Sequence, residues 1–187
     1  MRALVGNRGH NLSQSGFSLL ELMVTVAVIA IIGAIAAPSF RDMLLRSRLT
    51  AGANEVNAAV QSARLEALRT NGRVELSPST DGATCNGANW SRFIVRSTRS
   101  NTVLRDVALN GNSLTVAGSP SISGTDRVWF LADGFIRMGA AAAPTQAGTI
   151  GICAASLSSD NARDVQLNMG RVSVARVTRA GCAAPGN

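Results

Sequence analysis

Residues 16–38 read GFSLLELMVTVAVIAIIGAIAAP. From Phe17 to Ala37 this stretch holds 21 residues and one charge, Glu21. As a helix rising about 1.5 Å per residue it would reach roughly 31 Å, enough to span the hydrocarbon core of a bilayer. A carboxylate inside hydrocarbon costs on the order of 3 kcal/mol, so an acid retained there points to a task.

Upstream lies a short polar stretch, MRALVGNRGHNLSQSG, with Arg2, Arg8 and His10, which has the character of the leading region of an export signal. An ordinary secretory signal cut near Ala34-Ile35-Ala36, releasing a soluble binding module, is the rival reading. Against it stand an apolar run longer than the usual ~7–15 residues and the acid near its start. Arg41, Arg46 and Arg48 beyond the run outnumber Arg2 and Arg8, so charge asymmetry does not set the orientation. The short leader and the cysteines do, and both place the C-terminal part outside the cytoplasm.

Beyond Pro38 the pattern stays helical. Leu49, Val56 and Ala63 recur seven apart, with Ala53, Val60 and Ala67 interleaved, giving one apolar stripe. Asn71-Gly72 is a stop signal, with Gly72 expected to take the left-handed conformation. The helix is expected from about Phe17 to Thr70, kinked at Pro38 and weakened locally at Gly33 and Gly52, with its second half as an amphipathic spine for a β-domain and a free coiled coil as the rival reading.

After Gly72 the period changes to short β-prone runs between Gly, Asn, Asp and Ser clusters. Strands are expected near Arg73–Ser77, Arg92–Ser97, Val103–Leu109, Arg127–Leu131, Phe135–Met138, Thr149–Ala154, Asp164–Leu167 and Arg171–Val177. Asp133-Gly134 and Met169-Gly170 read as hairpin turns, and Gly139–Gly148 as a loop. The fold class is α+β: a long N-terminal helix packed on a C-terminal antiparallel β-domain.

Composition narrows the chemistry of these 187 residues. The net charge is +7, and all 18 basic residues are Arg. A basic balance suits nucleic acid or anionic lipid, yet Arg in place of every Lys also suits a codon bias, so charge alone fixes no partner. His10, the sole histidine, belongs to the leader, which removes a His-dependent triad or His metal site from the rest. Without Lys there is no phosphate-binding P-loop and no Schiff-base nucleophile. Asp126, Asp133, Asp160 and Asp164 are spaced like turn residues, not like a catalytic dyad or a calcium loop. No enzyme activity, cofactor or metal is expected.

Gly16-Phe17-Ser18-Leu19-Leu20-Glu21, the apolar run and Pro38 together resemble the cleavage and assembly signal of type IV prepilins. The resemblance implies residues 1–16 as leader, 17–37 as transmembrane helix, 38–71 as its amphipathic continuation and 72–187 as a β-rich domain. It implies cleavage between Gly16 and Phe17 by a prepilin peptidase and methyltransferase, and methylation of the new Phe17 amine. It also implies a single-pass inner-membrane protein with a periplasmic domain, incorporated into a pilus or pseudopilus. During assembly Glu21 of one subunit would pair with the Phe17 ammonium of a neighbour, since opposite charges attract strongly in a low dielectric and each is costly alone.

The rest of the chain resembles the GspH/FimT group of minor pilins. The shared motifs are Ala63-Arg64-Leu65-Glu66-Ala67, Asn71-Gly72-Arg73-Val74, Asp81-Gly82 before Cys85, the Trp90 region, Ala132-Asp133-Gly134 and Gly170-Arg171-Val172. One departure is Ser77, where members often place a cysteine able to bridge to the next. Among Cys85, Cys153 and Cys182 the expected disulfide is Cys153–Cys182, because Cys153 closes a strand and Cys182 follows the last one. The implied function is a minor pilin or pseudopilin that assembles with other pilins, in a type IV pilus or in type II secretion. Some members of the group bind DNA for uptake, which would draw on Arg163, Arg171, Arg176 and Arg179. Ser173 stands where the DNA-binding form has a second Arg, and neither Trp90 nor Trp129 lies beside these arginines in sequence.

Overall fold

The computed structural model describes residues 16–109, 113–139 and 143–187. Residues 1–15 of the expected leader 1–16, with Arg2, Arg8 and His10, and residues 140–142 of the expected loop lie outside the described residues. The chain forms two compact units, Met1–Phe40 and Arg41–Asn187.

In the first unit, helix α1 (Leu19–Thr70) begins two residues later than expected. Ser18 is the reason. Its hydroxyl accepts the Glu21 N–H at 3.1 Å and its carbonyl accepts the Leu22 N–H at 3.1 Å, which makes it the helix cap and leaves Phe17 outside. Every residue from 16 to 40 is exposed. The helix holds a window of mean hydropathy 2.6 and is long and apolar enough to cross a membrane.

In the second unit the stripe of α1 is buried against β-structure: Leu49, Gly52, Ala53, Val56, Ala59, Val60, Ala63 and Ala67. Gly52 marks a close approach as well as a weak helix position, because a Cβ there would stand 3.4 Å from Ile152 Cδ1. The helix ends in paired bonds, Gly72 N–H to the Ala67 carbonyl and Asn71 N–H to that of Leu68. Asn71, at φ 47°, takes the left-handed conformation expected of Gly72. A side-chain amide tolerates that region well enough for the turn to close one residue earlier.

Two antiparallel sheets face this helix. The first has the order β3-β2-β1-β5-β6, from β1 (Val74–Pro78), β2 (Arg92–Ser97), β3 (Val103–Ala108), β5 (Val128–Phe130) and β6 (Ile136–Met138). The second has the order β4-β7-β8-β9, from β4 (Thr115–Gly118), β7 (Ala147–Cys153), β8 (Ala162–Asn168) and β9 (Arg171–Val177). Strand β4 and the short helix α2 (Pro120–Ser123) were not expected, since runs of four residues are too brief to declare a period. The core joins Leu49 and Val56 of α1 with Leu76, Phe93, Phe130, Ile136, Ile150, Ile152 and Leu167.

Cys153, the last residue of β7, is disulfide-bonded to Cys182, with a Cα–Cα distance of 5.6 Å. Cys182 lies in the 3-10 turn Ala180–Cys182. The bridge closes a separation of 29 residues, which by restriction of the unfolded chain contributes about 3 kcal/mol. Cys85 is a free thiol.

Candidate functional site

At the N-terminal end, Gly16 and Phe17 precede the helix and Phe17 is 80% exposed. A Cβ on Gly16 would meet nothing within 4 Å, so the chain's own packing does not demand glycine there. A demand for a small residue must come from whatever handles this segment. Ser18 and Glu21 stand at the cap and third positions of the helix, the S-x-x-E spacing of a capping box. That signal was present in the sequence beside the motif and explains how α1 starts. Glu21 lies in the first turn, where the positive end of the helix favours an acid. Its carboxylate makes no ion pair among the described residues.

The four C-terminal arginines do not converge. Arg163 is 4% exposed; its guanidinium donates to Asp160 Oδ1 at 2.7 Å and Oδ2 at 3.2 Å, and to the Ala162 carbonyl at 2.8 Å. Arg179 is ion-paired with Asp164, both side chains 10% exposed. These two cations are engaged inside the domain, where an unpaired charge would be costly. Arg171 and Arg176 are exposed, and the β8–β9 register puts them on opposite faces: Arg176 lies across from Arg163, Arg171 across from Asn168. The exposed and paired states follow from the strand alternation together with Asp160 and Asp164, whose roles as partners spacing alone did not reveal. Trp129 sits instead beside Arg73 and Arg137, in a depression of the first sheet.

Two other polar groups belong to the frame of the domain. Glu75, nearly buried in β1, lies between Arg96 at 3.1 Å and Arg127 at 3.2 Å. Burial pushes the Cys85 thiol above its ordinary pKa, against the smaller lowering effect of a hydrogen bond with Ser77. Among the described residues no three His, Cys, Asp or Glu side chains are grouped to hold a metal ion.

Comparison with known proteins places this architecture. Residues 52–170 match the family model described as type II transport protein GspH. The chain belongs to the GspH family. Residues 11–37 of this GspH-family chain match the prokaryotic N-terminal methylation motif, which covers the Gly16–Glu21 segment and the apolar run. Curated relatives align over the N-terminal helix: a fimbrial protein of Pseudomonas aeruginosa is 46% identical over 57 residues, 29% of this chain and 37% of that protein. A type IV major alpha-pilin of Moraxella bovis is 40% identical over 57 residues, 29% of this chain and 36% of its own length. The chain thus spans little more than a third of the relatives it matches. Among solved structures, the type IV minor pilin FimU of Pseudomonas aeruginosa has a TM-score of 0.52 at 23% identity, covering 75% of this chain and 94% of that one. At that identity the likeness establishes the fold. The GspH-family chain thus joins a prokaryotic N-terminal methylation motif to one helix, among the described residues, that is long and apolar enough to cross a membrane.

Proposed function

We propose that this chain is cut between Gly16 and Phe17, methylated at the Phe17 amine and built into a filament together with other pilin-type subunits. The observation that carries the reading is the state of the first turn: an exposed apolar helix with Glu21 four residues after Phe17 and no partner for the carboxylate among the described residues. A lone acid in that setting is costly until another chain supplies a cation, and the ammonium created at Phe17 by cleavage is such a cation. The pair sets register between neighbouring helices more than it adds stability.

The domain from Arg41 onward rides outside the inner membrane on this reading, which suits a disulfide-bonded module. Similarity to FimU and to fimbrial proteins supports a role in a type IV pilus, as a subunit that primes or caps the filament. The GspH match supports the parallel role in a type II secretion pseudopilus. DNA uptake draws less support, because two of its four candidate arginines are engaged internally and the other two face opposite ways.

Intact-mass analysis of membrane-extracted protein tests the proposal. A chain beginning at monomethylated Phe17 is expected. A soluble chain beginning near Ala37 would overturn it. The Gly16→Leu precursor should accumulate uncut, because a peptidase subsite that accepts only small side chains excludes the bulk, while nothing in the chain's own packing opposes it; normal processing would place the cut elsewhere.

A further inference from the structure

Arg163 of β8 and Arg176 of β9 are direct cross-strand partners on one face of the second sheet. Like charges placed opposite each other in a ladder repel. Arg46 of α1 completes an open groove of about 550 Å³ with them, whose wall also includes Ser47, Asn54 and Asp160. Three guanidinium groups therefore meet one carboxylate, and Asp160 is already committed to Arg163 in a two-point ion pair. Arg46 has one long hydrogen bond, to the Ser159 carbonyl at 3.5 Å, and Arg176 makes no ion pair among the described residues. The groove carries two uncompensated positive charges, with the hydroxyl of Ser47 and the amide of Asn54 beside them.

We propose that this groove binds the phosphodiester headgroup of an anionic phospholipid, through Arg46 and Arg176, over a floor held by the Arg163–Asp160 pair. Guanidinium forks match phosphate oxygens in geometry and charge, and an anion between them removes the repulsion that the bare site bears. The source of the phosphate follows from chain position. Arg46 stands nine residues after Ala37, the end of the apolar segment, a stretch of at most about 30 Å however it is arranged. A membrane-held subunit thus keeps the groove within reach of headgroups on the side of the β-domain. Headgroup binding would hold the domain at the surface until the subunit leaves the membrane. The inference requires residues 17–37 to be the anchor but not that the subunit enters a filament, so failed filament incorporation leaves it standing.

Full-length protein in an uncharged detergent is titrated with phosphatidylglycerol, phosphatidylcholine, inorganic phosphate or a single-stranded oligonucleotide. Retained ligand is read by native mass spectrometry and stability by apparent Tm. Phosphatidylglycerol should be retained and raise the Tm, and phosphatidylcholine should do neither. Arg46→Gln with Arg176→Gln should weaken retention about tenfold or more, as expected when charge-assisted hydrogen bonds are lost. The charge-matched pair Arg137→Gln with Arg171→Gln, away from the groove, should retain the lipid as the parent does. Equal losses in the two double variants would reduce the effect to net charge and overturn the site. Equal retention of the two lipids would also overturn it. A Tm rise with inorganic phosphate equal to that with phosphatidylglycerol would make a free anion the ligand, and a rise with the oligonucleotide alone would make it a nucleic-acid site; either overturns the lipid assignment.

Discussion

The guanidinium of Arg64, on helix α1, donates a hydrogen bond to the main-chain carbonyl of Gly170, in the hairpin between β8 and β9. Gly134, in the hairpin between β5 and β6, lies against the same side chain: a Cβ there would stand 3.4 Å from Arg64 Nε and 3.4 Å from Leu68 Cδ2. One arginine thus meets the turns of both sheets. Three short motifs separated in the chain, around Arg64, Gly134 and Gly170, form one structural junction.

Arg64→Ala should therefore destabilise the domain by about 1.5–3 kcal/mol, the range for a hydrogen bond with one charged partner. Gly170→Ala should do so by about 1–3 kcal/mol, since φ 137° is a region that L side chains rarely adopt. The added Cβ would also press on the Gly134 carbonyl at 3.2 Å. Denaturant unfolding of the detergent-solubilised protein checks both. An unchanged midpoint for Gly170→Ala would show that the hairpin relaxes without loss.

The long helix and most strands were legible because their residues follow one rule at a time. Leu49, Val56 and Ala63 keep a helical spacing, and the apolar run Phe93–Val95 between Arg92 and Arg96 is compact enough that the expected bounds match those of β2. Strand β8 was read as starting at Asp164 but starts at Ala162, because Arg163 is a charge on a buried face, made tolerable by Asp160, and so disguises the alternation. Burial of all five residues of β1 was likewise hidden, since Glu75 reads as solvent-facing until Arg96 and Arg127 are seen beside it. The signal at Gly16–Glu21 was plain in sequence. Strand alternation alone puts Arg171 and Arg176 on opposite faces, whereas the ion pairs of Arg163 and Arg179 depend on tertiary partners, which spacing does not encode.

Asp81 organises the turn after β1. It accepts hydrogen bonds from the Thr84 hydroxyl at 2.6 Å, the Thr84 and Ala83 N–H groups at 2.8 Å, and the Ser79 hydroxyl at 2.9 Å. These donors, the Thr84 hydroxyl foremost, hold its carboxyl well below the usual carboxylate range. A lowered folded pKa contributes stability that is fully present above the unfolded value of about 4 and is lost as pH falls through the folded one. The Ala83 and Thr84 amide resonances should thus stay in place through pH ~4, where an ordinary aspartate is half protonated. Titration of those resonances near pH ~4 would refute the assignment, and Asp81→Ala should open the turn to proteolysis while the core stays folded.

Cys85 should react slowly with a disulfide reagent at pH ~8 and faster once the protein is unfolded, because burial keeps it a thiol and the thiolate is the nucleophile. Its folded pKa is raised, so the associated stability is present below the unfolded thiol value of about 8.5 and is lost as pH rises through the folded one. Ser77, whose hydroxyl offsets part of the upward shift of the Cys85 thiol, gives a second test. Ser77→Cys, at a position 1% exposed, should form a new bridge to Cys85 under oxidising conditions, seen as a mass deficit of two hydrogens and a linked peptide. Two persisting free thiols would show that these side chains do not approach within bridging distance.

Glu21→Val separates the two tasks of the N-terminal helix. The substitution removes the desolvation cost of a carboxylate, on the order of 3 kcal/mol, so membrane insertion should be retained or improved. The cap survives, because the Ser18 hydroxyl accepts the main-chain N–H of residue 21 and does not depend on its side chain. Cleavage after Gly16 should continue, leaving a mature Phe17 ammonium with no carboxylate to meet on its neighbour. Recovery of the variant in sheared filaments should then fall steeply at an unchanged membrane level. Glu21→Asp, which keeps the charge on a shorter stem, should restore part of it. Undiminished recovery of Glu21→Val in filaments would remove the charge pair from assembly and leave the apolar surface of the helix as the sole source of its packing.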